Sequence, residues 1–257
     1  MYGRRARVGI VVPSTNTTVE PEFAAFLPRD VAVFSSRVAV AEVSSEEEKV
    51  ASLLAMHNHL DRAVAELASA GVTAIAYACT SGSFLGGRDS DQATCDGLTR
   101  AHGIPIVTTS IALVAALTAL SSQRIALATP YVRPVADGAV AYLNQAGFEV
   151  TARNDLEILS NLDKGRLEPA ASFQAATALD VSGADTVAIS CTNWRTLDSL
   201  VAIEQQTGLP AISSNLVTLW ALLRLAGIDE PLSPDVRLGG LPLPEKARAE
   251  WSGVVHV

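Results

Sequence analysis

The chain has 257 residues, 49% hydrophobic and 18% charged, so it can bury a substantial core and is not a disordered polymer. Lys plus Arg number 19 against 27 Asp plus Glu, a net charge of -8, which argues against a surface that tracks nucleic-acid phosphates. The three cysteines, Cys79, Cys95 and Cys191, are too few and odd in number for a disulfide scaffold, and they fit a reducing cytoplasm.

No membrane span is expected. The apolar runs at 111–120 and 216–228 are short, and Arg224 interrupts the second. The opening MYGRRARVGIVVP stops at Pro13 without a cleavage-like site and reads as a first strand rather than a signal peptide. RVGIVVP (7–13) has the β-branched, continuously apolar character of a buried strand, and VAVFSSRV (31–38) follows as a second. Next, Ser44 or Ser45 with Glu47 or Glu48 resembles a capping box. Val50, Leu53, Leu54, His57, Leu60, Val64 and Leu67 then keep helical spacing up to Gly71, which predicts one long helix. The run Glu46–Glu48 reads as its solvated first turn. TAIAYACT is a third strand and IPIVTTS a fourth.

The second half repeats the first. RIALATPY (124–131) matches RVGIVVPS, GVTAIAYACTSG (71–82) matches GADTVAISCTNW (183–194), and GIPIVTTS (103–110) matches GLPAISSN (208–215). Offsets of 105 to 117 residues are too long for a solenoid and predict a duplicated βα lobe with Cys79 opposite Cys191. The expected division is 1–115 and 116–215, with 216–257 packing back onto the first lobe. Ligands of parallel sheets bind at the carboxyl ends of the strands, so the site is expected in the cleft between lobes.

Both Cys79 and Cys191 end an apolar strand and precede Thr and a small polar residue. A helix N-terminus after each would favour thiolate and lower its pKa. Thr80, Ser81, Thr192 and Asn193 add donors that suit a carboxylate. The loop PSTNTT supplies Ser14 and Asn16 as further neutral donors, and Tyr131 in ATPYV stands in the matching place of the second repeat. Asn161 is a weaker candidate on spacing. Cys95 has no repeat partner and reads as structural. None of the four histidines is expected near a strand-end motif. No metal-ligand spacing, dinucleotide or Walker fingerprint, or GxSxG elbow occurs, so no metal and no cofactor are expected.

PSTNTT, YACTSGS, TPY and SCTN, in this order and over essentially the whole chain, resemble the maleate cis-trans isomerase family of the aspartate/glutamate racemase and arylmalonate decarboxylase superfamily. The resemblance implies two similar four-stranded parallel α/β lobes related by a pseudo-twofold axis, with a cofactor-independent site between them. It implies Cys79 as nucleophile and Cys191 as proton donor. Asn16, Tyr131 and Asn161 would bind substrate carboxylates, and Thr80 and Ser81 would hold an anion. Decarboxylases of the superfamily keep only the second cysteine, so Cys79 speaks against that branch. Trp194 and Arg195 depart from the pattern. The expected activity is conversion of maleate, or a related small cis-dicarboxylate, to fumarate through a covalent cysteine adduct. The alternatives are a two-cysteine amino-acid racemase or related carbanion enzyme, and a non-catalytic small-acid binding module. A homo-oligomer, dimer or tetramer, is expected.

Overall fold

The computed structural model describes residues 1–41, 43–232 and 235–251. β1 (Ala6–Pro13), β2 (Val31–Val38), β3 (Ala74–Tyr77) and β4 (Ile106–Thr108) form one all-parallel sheet in the order β2-β1-β3-β4. β5 (Arg124–Thr129), β6 (Glu149–Asp155), β7 (Thr186–Ile189) and β8 (Ala211–Ser213) repeat that order as β6-β5-β7-β8. The central strands are buried along nearly their whole length, which requires cover on both faces and explains their unbroken apolar sequences. Edge strand β6, EVTARND, alternates between exposed and half-buried positions and carries no comparable run.

The single long helix predicted for the first lobe is two helices, Glu46–Ala55 and Leu60–Ser69, joined by a 3-10 turn at Met56–His59. Ser45 caps the first of them by accepting from Glu48 N–H, and Glu48 reaches back to Ser44 N–H at 2.8 Å. The turn is tighter than an α-helix. In it Met56 is fully buried with Sδ 3.9 Å from the Tyr77 hydroxyl, and the His57 ring lies edge-on to Tyr77 at 6.0 Å. His57 is therefore close to a strand-end motif, contrary to expectation, because an interrupted helix brings it onto β3.

Helices Thr109–Ala119 and Ser214–Leu225 start directly from β4 and β8, and each is capped by a hydroxyl at the strand end. Thr108 Oγ1 accepts from Ile111 N–H, and Ser213 Oγ accepts from Leu216 N–H. Both helices are buried almost throughout and pack on each other, with Thr109 and Thr218 hydroxyls 2.8 Å apart. They join the two repeats at their matching positions. A second tie comes from Glu22, whose buried carboxylate accepts from Thr196 and Leu197 N–H and from Asn215 Nδ2 at 2.6, 3.0 and 2.5 Å. Burial raises its pKa against those three donors.

Past helix Ser214–Leu225, the chain folds around Arg224 near that helix's end. Its guanidinium donates to the carbonyls of Ile228, Glu230, Gly239 and Leu241. The residue that interrupts the apolar run thus organises the segment beyond it. Arg5 pairs with Glu230 at 2.7 Å, tying that segment to the start of the chain. Among the described residues, no helix is long and apolar enough to cross a membrane.

Candidate active site

The carboxyl ends of β1, β3, β5 and β7 lead into one small cavity of about 30 Å³, room for roughly a water or two. Cys79 and Cys191 both line it, from opposite repeats. Cys95 is buried elsewhere, beside a cleft of about 740 Å³ that shares no lining residue with this cavity.

Cys79 has extended backbone geometry and caps the short helix Thr80–Phe84. Its Sγ accepts from Gly82 N–H at 3.4 Å and lies 3.9 Å from the Ser81 hydroxyl. A Cβ on residue 82 would sit 3.0 Å from that sulfur and press on the Tyr77 hydroxyl, so close approach requires glycine there. Cys191 differs from the sequence reading. The loop after it reaches a helix only at Leu200–Thr207, through a 3-10 turn at Leu197–Ser199. The helix-end argument therefore applies to Cys79 alone. Instead, Cys191 N–H donates to Ser214 Oγ at 2.9 Å, and the same oxygen accepts from the Thr80 hydroxyl at 2.8 Å. One serine from the seam helix holds both cysteine loops.

The expected lowering of the thiol pKa does not occur. Burial pushes both thiols above their ordinary value. Gly82 N–H and the Ser81 hydroxyl oppose it at Cys79, and the Lys164 ammonium opposes it most strongly at Cys191. The loss of hydration wins because the cavity is so small. Burial, with the two neighbouring thiols, also keeps the Tyr131 phenol protonated and able to donate.

Most of the sequence-predicted donors gather here. Asn16, Thr80, Ser81, Tyr131, Asn161, Thr192 and Asn193 all line the cavity. Their amides form a lattice across the two repeats. Asn16 Oδ1 accepts from Thr18 and Val19 N–H, and its Nδ2 donates to Thr192 Oγ1 at 3.1 Å. Asn193 Oδ1 accepts from Thr17 N–H at 2.9 Å, and its Nδ2 donates to the Asn161 carbonyl at 2.7 Å. Asn161 Nδ2 donates to Thr15 Oγ1 at 3.0 Å. Ser14 does not join them. It is exposed, its hydroxyl accepts from Val40 N–H, and its backbone is held by β2, so Thr15 occupies the wall instead. Trp194 packs fully inside with its indole N–H unpaired, and Arg195 turns outward to Glu168 and Asp198.

Contrary to expectation, the donors at the site are not all neutral. Lys164 lines the cavity and Lys49 lies at its edge, each only 3% exposed. Lys49 Nζ donates to Asn161 Oδ1 at 2.7 Å, and Lys164 Nζ stands 5.4 Å above the Tyr131 ring. Among the described residues neither has a carboxylate within ion-pair distance. A cation–π contact contributes up to about 2 kcal/mol, whereas removing an ammonium from water costs several kcal/mol. Burial accordingly lowers both lysine pKa values, that of Lys49 to about 8. One signal was available. Lys49 lies four residues before Leu53, which lines the cavity, and that spacing keeps one helix face.

Among the described residues no group of three His, Cys, Asp or Glu side chains could hold a metal ion. The family model for arylmalonate decarboxylase matches residues 8–238. A maleate isomerase of Pseudomonas putida is 34% identical over 244 residues, spanning 89% of this chain and 94% of that protein. Another, from Geobacillus stearothermophilus, is 33% identical over 232 residues, 85% of this chain and 90% of that one. Among solved structures, a Pseudomonas putida maleate isomerase in a cysteine-to-alanine form with maleate superposes with a TM-score of 0.85 at 27% identity, over 92% of this chain and 98% of that one. The Nocardia farcinica maleate cis-trans isomerase, in a cysteine-to-serine form with a covalently bound succinylcysteine intermediate, gives 0.82 at 31% identity, over 91% and 97%. With matches of this extent on top of the repeated lobes and paired thiols, the chain belongs to the arylmalonate decarboxylase family and is similar throughout its length to that family's maleate isomerases.

Proposed function

We propose that this protein is an isomerase that converts maleate, or a closely related small cis-dicarboxylate, to its trans isomer without a cofactor. The observation that carries the reading is the pair of buried cysteines, one from each repeat, on a single small cavity. The related isomerase that holds a succinylcysteine supports a covalent route.

In the proposed route Cys79 reacts as thiolate. Its sulfur bonds to one alkene carbon, and the π electron pair moves to the neighbouring carbon, where the Cys191 thiol delivers its proton. The product is a succinyl thioether in which the former double bond rotates freely. After rotation, the Cys191 thiolate takes a proton back from that carbon. The C–S bond breaks as the double bond reforms trans, and Cys79 leaves as thiolate. Two accessible steps replace one prohibitive torsion. Addition places charge beside a carboxylate, where the Tyr131 phenol and the second amide hydrogen of Asn161 are at hand to donate. Ser81 and Gly82 N–H favour the thiolate at Cys79.

The test is direct. Proton NMR of maleate with the enzyme should show fumarate accumulating. Absence of fumarate, with solvent deuterium entering the α-position of aspartate or glutamate, would establish the racemase alternative instead. We further propose lobe boundaries at 1–115 and 116–215, with 216–257 returning to the first lobe, and a cytoplasmic homo-oligomer. Light scattering on the eluted protein reads the oligomeric state.

A further inference from the structure

Lys164 has no counterpart among the neutral donors that the reaction itself needs. It sits on the short helix Asn161–Gly165, next to the substrate-facing amides, and is 3% exposed. Its ammonium borders the cavity that holds both thiols, over the face of Tyr131. Among the described residues no carboxylate pairs with it and no acceptor takes a hydrogen bond from it. Every other buried charge of the described fold has partners. Glu22 has three donors, Arg224 has four carbonyls, Asp91 accepts from Thr108 and Tyr142, and Lys49 holds Asn161. A buried cation of this kind, facing a cavity, fits an anion from outside the chain.

We infer that the Lys164 ammonium is the counter-ion of one substrate carboxylate, and that with Lys49 at the rim it makes the site selective for doubly anionic substrates that carry no ammonium of their own. This rests on the isomerase reading and deepens it. The first consequence concerns amino acids. Aspartate and glutamate bring an ammonium into a chamber that already holds Lys164 and adjoins Lys49, so like-charge repulsion disfavours them. The second concerns decarboxylation. Loss of CO2 from a malonate requires the departing carboxylate to shed its charge, and an ammonium paired to it holds the charge in place. The third concerns the nucleophile. The same cation that binds the carboxylate opposes the effect of burial on Cys191, so it favours the thiolate left there when the proton moves to carbon.

The experiment measures equilibrium binding in the Cys79→Ser background, where turnover does not interfere. The probes are maleate, isocrotonate (the same cis alkene with a methyl in place of one carboxylate) and L-aspartate. Maleate should bind more tightly than either of the others. Adding Lys164→Met should weaken maleate about 10- to 100-fold, the range for a hydrogen bond to a charged group, and change isocrotonate less than about threefold. Lys164→Gln serves as a second variant of different volume, and unfolding curves confirm that both fold. A folded variant that keeps its maleate affinity, or that loses maleate and isocrotonate equally, overturns the assignment. So does a background protein with no preference for maleate over isocrotonate. Preference intact but no fumarate from wild type would sink the isomerase reading alone. Fumarate formed with a preference indifferent to Lys164 would sink the lysine assignment alone.

Discussion

Cys79 and Cys191 end matching strands, line one cavity and are both raised in pKa by burial, yet their supports differ. Cys79 leans on a helix-end N–H and a serine hydroxyl, and Cys191 on a lysine charge. That asymmetry suits one sulfur that bonds carbon and one that carries a proton. Cys79→Ser and Cys191→Ser should each lower kcat at least about a thousandfold, because a covalent intermediate and its proton donor act as a unit. Cys95→Ala should leave kcat within about twofold, since its thiol behaves as a small buried hydrophobe away from the cavity. Steady-state rates with maleate measure all three. An active Cys79→Ser enzyme would refute the covalent route. The cysteines, Asn16 and Tyr131 were legible in the sequence because strand ends and repeats locate them, whereas Asn161 rested on spacing and the family resemblance. Lys164 was not legible, and Lys49 only through its helical spacing to Leu53, because a lysine in EEEKV or LDKGR reads as a solvated charge until tertiary contacts bury it.

At the level of elements, the central strands and the capped seam helices follow directly from apolar runs ending in Thr or Ser. β6 and the break at Met56–His59 do not. An edge strand needs no apolar run, and a helix that bends onto Tyr77 keeps its hydrophobic spacing through the bend. Helix Arg88–His102 hides a more consequential feature. Asp91 is buried in it and accepts from the hydroxyls of Thr108 and Tyr142, each at 2.8 Å, while its other oxygen has no partner. Burial raises its pKa from 3.8 to about 7. For an acid with a raised folded pKa, the protonated form is the one the fold favours. Its contribution is complete below pH 3.8, falls as pH rises towards 7 and is constant beyond. Asp91→Asn keeps the shape and removes the titration. Relative to wild type, it should gain about 2–4 kcal/mol of unfolding free energy between pH 4 and pH 8. Urea melts at the two pH values give the difference, and an equal gap at both would show that Asp91 does not titrate in this window.

Across the whole molecule, polar side chains hold the repeats together. Glu22 of the first repeat binds the loop beyond Cys191, Ser214 holds both cysteine loops, and the Thr109–Thr218 pair lies along the helical seam. Glu22→Gln sets an amide N–H against Asn215 Nδ2, which cannot turn without losing the Thr192 carbonyl. The variant should be less stable by about 1–3 kcal/mol. Its urea midpoint measures this, and an unmoved midpoint would show that the tie carries no stability. The size of the chamber also demands motion. Its 30 Å³ cannot admit a four-carbon diacid in the conformation described. A second space of about 120 Å³, lined by Lys49, Val43 and Ser160, adjoins it through the shared walls Thr15 and Asn161. The Asn161–Thr15 hydrogen bond stands on the wall that the two spaces share. A diacid therefore needs these walls to part before it can reach the thiols, and their closing again shuts solvent out.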